Sequence, residues 1–387
     1  MYQVAGINAR AGQGVFAVKK FKPDKEGDGN ITYTGLSQSA IREMSLCKEL
    51  NHANVIQLIE IILDEKCVFM VFEYCEHDLL QLIQYHSQLV QQQTQIPTTP
   101  TSSIGPKTRQ IHASVIKSVL YQLLNGVAYL HANWVLHRDL KPANIMVTSV
   151  GEIRIGDLGL ARIFHKPLHS LFNGDKVVVT IWYRAPELLL GSRHYTPAID
   201  LWAIGCIFAE LLGLRPIFKG EEAKMDGKKN VPFQRNQIQK IVEILGMPTV
   251  ERWAGVTWMP EYAQLQSLPY AVRESQPSRN SNSTSPGSSS NVPPGLERWY
   301  HTTLHNSGYI APQNHPGQQG LELMAALLEY DPLKRLTARQ ALEHPYFQAD
   351  GAKPSVDCFD GAGLGERIVY PPRRVSKEAG DLRISSR

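Results

Sequence analysis

The apolar rhythm of the chain changes near residue 75. Ahead of that point, short runs rich in β-branched and aromatic residues predict strands: VFAVKKF at 15–21, NVIQLIEIIL at 54–63 and KCVFMVFEY at 66–74. Between the first two, Ser39 to Leu50 spaces Ile41, Met44 and Cys47 along one side of a helix. Beyond residue 75 the period lengthens. VIKSVLYQLLNGVAYLHAN at 115–133, PAIDLWAIGCIFAELLG at 197–213 and QIQKIVEILG at 237–246 repeat apolar residues every three or four positions, as helices do. The pattern predicts an α+β chain in two unequal units, a small sheet with one helix over residues 1–75 and a larger, mainly helical unit over 76–348.

Two stretches follow neither period. Residues 86–112 and 273–295 are rich in Gln, Ser, Thr, Pro and Asn and poor in large apolar groups, so burial cannot offset their ordering entropy. Both are expected to be disordered surface insertions, and residues 349–387 a loose tail. No internal repeat interrupts this division.

Composition narrows the function. Forty Lys and Arg against 36 Asp and Glu leave a net charge of +4, too little over 387 residues to argue for nucleic acid as the main ligand. Five cysteines, odd in number and without a CxxC pair, suggest neither a disulfide framework nor a zinc site and fit a reducing compartment. The most apolar run, Ala203 to Leu214, is short for a membrane span and contains Glu210, and the N-terminus has no apolar signal core. The expectation is a soluble intracellular protein with no membrane partner.

Chemistry concentrates in VLHRDLKPANIMV at 135–147. Asp139 is followed five residues later by Asn144, and Asp157-Leu158-Gly159 comes thirteen residues after that, the spacing of a catalytic loop and a metal loop around a short hairpin. Phosphoryl transfer needs such a set. A carboxylate at Asp139 can orient an acceptor hydroxyl and take its proton. Lys141 can offset charge developing on the transferred group. The Asn144 amide oxygen and the Asp157 carboxylate are hard ligands suited to Mg2+. Lys19, ending the apolar part of its strand, would hold the non-transferred phosphates, and Glu43 on the following helix would hold Lys19. Any one of these residues has a duller reading as a solvated surface group; their joint order has none.

HRDLKPAN at 137–144, DLG at 157–159 and WYRAPELLLG at 182–191 resemble the eukaryotic protein kinases, serine/threonine branch. SAIRE at 39–43 and VVTIWYRAPELLLG at 178–191 resemble the cyclin-dependent kinases. FKPDKEG, YTGLSQSAIREM, FEYCEHDLL and PIFKGEEAK resemble the fungal Mediator-associated, cyclin-C-dependent kinases, over about Tyr2 to Phe347 without the two insertions. The resemblance implies a bilobal protein kinase fold, ATP as co-substrate and Mg2+. It implies that Phe72 stands behind the adenine, that Glu73 and Cys75 offer hinge backbone groups to it, and that Asp78 is the ribose-side acid. Glu187 would pair with Arg335, Asp200 and Trp202 would anchor the catalytic loop, and His137 and Cys206 would be core residues. Val178, Val179 and Arg184 would shape the pocket for a proline after the acceptor Ser or Thr. A C-type cyclin on the SAIRE helix, further subunits of the Mediator kinase module, the RNA polymerase II C-terminal tail as substrate and a nuclear location complete the implied picture.

Most cyclin-dependent kinases have a phosphorylated threonine five residues before the position of Thr180, and its phosphate gathers an arginine cluster. Here Asp175 stands there, while Arg42, Arg138 and Arg162 remain. One carboxylate offers less charge and fewer acceptors than a phosphate, so Asp175 is expected to satisfy the cluster only in part and without an activating kinase. The resemblance also aligns Tyr2 to Ile7 with the strand before Lys19, which makes Gly12-Gln13-Gly14 a hairpin turn and not a phosphate loop. Family members place one more strand and a GxGxxG loop ahead of it. An incomplete start, a short isoform and a kinase-fold scaffold that has lost catalysis all stay open. Retention of Lys19, Glu43, Asp139, Lys141, Asn144 and Asp157 favours the first.

Overall fold

The computed structural model describes residues 2–5, 15–21, 38–64, 67–93, 110–164, 180–194, 196–223, 233–269, 292–307, 309, 315–348, 353–360 and 369–371. Strands β1 (Tyr2–Ala5), β2 (Val15–Phe21), β3 (Leu58–Asp64) and β4 (Cys67–Glu73) form an antiparallel sheet in the order β1-β2-β4-β3, with helix α1 (Gln38–Glu49) against it. β1 and β2 pair from Tyr2↔Val18 to Ala5↔Val15; the Gly12–Gly14 turn lies outside the described residues. The two-residue period of β2 separates its side chains. Phe16 and Val18 pack with Phe69 and Val71 on one face, whereas Ala17 joins Met70 and Phe72 in the main core on the other, the face that Lys19 shares.

The chain leaves this lobe between Glu73 and His77. β5 (His77–Asp78) runs into α2 (Leu79–Gln93), and α3 (Ala113–Ala132) follows. β6 (Val135–Leu136), the hairpin β7 (Ile145–Val147) and β8 (Ile153–Ile155), and β9 (Arg162–Ile163) give two small sheets, β5-β7-β8 and β6-β9. Helices α4 (Pro186–Leu189), α5 (Ala198–Gly213) and α6 (Arg235–Leu245), with Pro294–Ser307 and Gly317–Leu327, build most of the large lobe. Helix α5 is buried from Ala198 to Leu212 and apolar on every side but for Asp200 and Glu210, the signature of a central helix. Among the described residues no helix is long and apolar enough to cross a membrane.

Four expectations need correction. The inward stripe of α1 is Ala40, Glu43, Leu46, Cys47 and Leu50, while Ile41 is 50% exposed, because the helix turns Glu43 and not Ile41 towards the sheet. Asn54 to Gln57 are not part of β3. Val55 bridges Ile155 in the large lobe, and the buried Asn54 amide donates to Gln122 Oε1 at 3.2 Å and Ile153 O at 3.0 Å. The insertions are shorter than 86–112 and 273–295: α2 continues to Gln93, Ile111 is buried, His112 caps α3, and the helix at Pro294 starts inside the second. Finally, the 349–387 segment is not loose throughout, since Cys358, Phe359 and Tyr370 are buried against the large lobe. These contacts join residues far apart in the chain, which local composition does not report.

Candidate active site

Lys19 on β2 meets α1 and the DLG loop at once. Its ammonium lies 2.6 and 2.8 Å from the two Glu43 oxygens and 2.9 Å from Asp157 Oδ1. Burial by itself lowers the Lys19 pKa, but the two carboxylates outweigh it and hold the group above its ordinary value. Burial pushes the Glu43 carboxyl up against the pull of Lys19. Asp157, more open at its side chain, is lowered despite burial, chiefly by the same ammonium. Lys19 is therefore a cation and Asp157 an anion at neutral pH.

The catalytic loop is held from beneath. Asp200 at the start of α5 is fully buried and accepts from His137 N at 3.0 Å, Arg138 N at 2.9 Å and His131 Nε2 at 2.9 Å. Burial opposes its charge, yet these donors hold its pKa below the usual carboxylate value. Arg138 takes φ 70°, a left-handed backbone that costs a non-glycine residue about 1 kcal/mol; the Asp200 bond secures it. His137 Nε2 donates to Gly156 O at 2.9 Å and its Nδ1 accepts from Asp139 N at 3.2 Å, so one ring ties the HRD and DLG loops together. Asp157 is itself left-handed, at φ 57°.

Asp139 is 7% exposed. Its Oδ2 accepts from Lys141 Nζ at 2.8 Å and Asn144 Nδ2 at 3.0 Å, and Asn144 also donates to Asp139 O at 2.8 Å. Among the described residues, Asp139 Oδ1 is buried and accepts nothing. One oxygen is fixed and the other, closed to solvent in this arrangement, keeps its acceptor capacity unused. The same contacts spend the Asn144 amide N–H groups on Asp139 and so leave its oxygen to face elsewhere. No group of three His, Cys, Asp or Glu among the described residues is placed to cage a metal. An amide oxygen and the carboxylate of Asp157, against which a cation already rests, nonetheless suit Mg2+, which keeps water and phosphate ligands.

Of the other expected residues, Phe72 and Cys75 are buried in the main core. Glu73 is bound by Arg154 Nε at 3.1 Å to both oxygens and by Gln57 N at 2.8 Å. Asp78 caps α2, accepting from Gln81 N at 2.9 Å while its own N–H donates to Gln81 Oε1. Arg162 stands opposite Leu136, two residues from Arg138, whose guanidinium donates to Leu160 O at 3.2 Å. Arg42 is on α1, beside Glu43. Asp175, Val178 and Val179 lie outside the described residues, and Arg184 follows the Ile181–Tyr183 turn. Glu187 and Arg335 form a buried two-bond pair at 2.8 and 3.0 Å.

Sequence reasoning missed three contacts around this site. Tyr183 OH donates to Glu210 Oε2 at 2.6 Å, and burial pushes the Glu210 carboxyl up to about 7. A lone acid in the apolar run AIGCIFAELLG was the available signal. Trp182 Nε1 donates to Gly220 O at 2.8 Å under Lys219, beside a cavity of about 710 Å³ lined by Lys141, Thr180 to Trp182 and Lys219 to Glu222. Gln122, a polar residue on α3 with no local signal, accepts from Ile153 N at 2.8 Å.

The family model described as a protein kinase domain matches residues 3–347. The serine/threonine-protein kinase ssn3 of Aspergillus niger is 59% identical over 388 residues, covering all of this chain and 82% of that protein. The serine/threonine-protein kinase SSN3 of Phaeosphaeria nodorum is 60% identical over 391 residues, covering all of this chain and 79% of that protein. Among solved structures, the yeast RNA Pol II CTD kinase CTDK-1 complex contains a chain with TM-score 0.61 and 29% identity, over 89% of this chain and 88% of that one.

Proposed function

The chain belongs to the protein kinase family, among serine/threonine kinases of the Ssn3 type, and from that premise we propose that it moves the γ-phosphate of ATP to Ser or Thr followed by Pro, as the catalytic subunit of a cyclin-bound assembly. The observation that carries the reading is Asp139, with Oδ2 fixed by Lys141 and Asn144 and Oδ1 buried without a donor. A substrate hydroxyl is the donor that Oδ1 lacks. It gives its proton to Oδ1 as the hydroxyl oxygen bonds to the γ-phosphorus, and the bond from phosphorus to the β-phosphate oxygen breaks to leave ADP. Lys141 moves towards the transferred group as the Asp139 charge is neutralised.

Asn144 and Asp157 would hold Mg2+, which when bound screens the phosphate oxygens. Lys19 would leave Asp157 for the nucleotide phosphates while keeping Glu43, so the existing Lys19–Glu43 pair spares the enzyme one ordering step. Phe72 would back the adenine, Glu73 and Cys75 would present hinge backbone groups and Asp78 would face the ribose. Val178, Val179 and Arg184 would receive the proline, whose missing N–H leaves no donor unmet.

For partners, the half-exposed Ile41 on α1 supports a C-type cyclin on the SAIRE helix. Asp175 meeting Arg42, Arg138 and Arg162 would order the loop without phosphorylation. The RNA polymerase II tail as substrate is supported by the description of the CTDK-1 neighbour, while membership of the Mediator kinase module and a nuclear location rest on the resemblance of the sequence motifs alone. The test is phosphorylation of Ser-Pro and Ser-Ala peptides by the full protein with its cyclin. Wild type should favour Ser-Pro, and Asp139→Asn should lose transfer by at least about a hundredfold while keeping cyclin. Equal transfer by Asp139→Asn, or none by wild type, would refute the reading and leave a scaffold.

A further inference from the structure

The matched kinase domain ends at residue 347, yet the chain beyond it returns to the large lobe. Ser355 N donates to Ser118 Oγ on α3 at 2.9 Å. Gln122, one turn further along α3, donates to Ser355 O at 3.2 Å and Val356 O at 2.9 Å. Cys358 N donates to Gly151 O at 2.9 Å in the turn of the β7–β8 hairpin. Gly151 has φ 78°, and a Cβ there would clash with Asp357 Oδ1, so the turn and the strap are fitted to each other. Phe359 and Tyr370 then set their rings edge-on to His77, at 6.2 and 6.0 Å, and Tyr370 OH meets His86 Nε2 at 2.9 Å.

Every one of these contacts falls on the sheet β5-β7-β8 or the helices beneath it. That sheet carries the nucleotide-side residues. Asp78 follows His77 in β5, Asn144 precedes β7, and Asp157 comes two residues after β8. Gln122 binds the strap with its nitrogen and Ile153 N with its oxygen, so the same amide joins strap and β8. A hairpin of two three-residue strands has little stability of its own; fastening its turn restrains both of its ends.

We propose that residues 355–359 and Tyr370 form a brace that positions Asp78, Asn144 and Asp157 for Mg2+ and ATP, making the segment beyond the kinase domain a positioning element of the nucleotide site. The proposal rests on the reading of those three residues given above. It predicts that Phe359→Ala, in the full chain with its cyclin, weakens Mg2+-ATP binding by roughly three- to tenfold, below the cost of losing a direct partner of a metal ligand. KM for ATP should rise in step while KM for the peptide stays, and Phe359→Leu should recover most of the loss. Amide hydrogen exchange across 145–155 should quicken while that of α5 does not.

Calorimetry with ATP and Mg2+, peptide kinetics and hydrogen exchange decide it. Wild type that binds no Mg2+-ATP refutes the reading of the site, and exchange at 145–155 then judges the brace by itself. A variant with unchanged nucleotide affinity and unchanged exchange there overturns the brace. So does faster exchange spread evenly through α5, which would make the strap a general stabiliser. Should Phe359→Ala not fold, Ser118→Ala, which removes only the bond to Ser355 N, takes the same measurements.

Discussion

Arg335 gives the sharpest test of how the large lobe is held together. All five of its N–H donors are used: Nε to Glu329 O at 2.8 Å, Nη1 to Glu187 Oε1 and Ala198 O at 2.8 Å each, Nη2 to Glu187 Oε2 at 3.0 Å and to Tyr330 O at 3.2 Å. Its side chain is 0% exposed and its Cζ lies 5.2 Å from the Trp202 ring centroid. Arg335→Ala strands the Glu187 carboxylate in a dry site and takes a donor from three carbonyls, and breaking such a pair costs about 3–5 kcal/mol. Arg335→Lys keeps the charge but has three donors for five acceptors. At least two of the five bonds are lost, at about 1 kcal/mol or more each.

Glu187→Gln with Arg335→Met removes both charges and leaves no buried ion without its partner, so the double variant should be less destabilised than the sum of the singles by at least about 1.5 kcal/mol. Urea unfolding followed by tryptophan fluorescence measures this, with the Arg335→Ala midpoint falling by roughly 1 M or more. Two results refute the reasoning. One is additivity of the two substitutions within about 0.5 kcal/mol, which would mean that the pair is not coupled. The other is an Arg335→Lys variant as stable as wild type, which would mean that the fork geometry is not needed.

Two further outcomes follow from the site. Lys19→Met removes three charge-assisted bonds and leaves Glu43 and Asp157 facing each other without a cation; ATP affinity should fall by about tenfold or more, while cyclin binding, measured by calorimetry, should weaken less. Glu210 has a folded pKa raised from 4.5 to about 7, so the folded protein binds the proton more tightly, and the stability this contributes is full below about 4.5 and lost as pH rises to about 7. Glu210→Gln should flatten the stability profile across that window by an amount on the order of 3 kcal/mol or less, and an unaltered slope in urea titrations at pH 5 and 7 would remove Glu210 as its source.

The chemistry of the site was legible because it is written in short order: HRDLKPAN, DLG and the strand around Lys19 each place their groups by local backbone geometry. The two-lobed division was legible too, since a period of two gives way to a period near four. Contacts between distant parts of the chain were legible only where the motifs implied them, as for Lys19 with Glu43 and Glu187 with Arg335. The pairing of Lys19 with Glu43 and Asp157 spans 24 and 138 residues, and neither its distance nor its directions of pKa shift follow from spacing. The free oxygen of Asp139 depends on which oxygen Lys141 and Asn144 happen to take. Composition marked 86–93 and the segment after 348 as structureless because it registers only what a segment could bury alone; Tyr85, His86, Phe359 and Tyr370 are ordered by burying one another. Local propensity sets which elements form, whereas burial and hydrogen-bond closure between remote segments decide which side chains meet, and only packing in three dimensions supplies those partners.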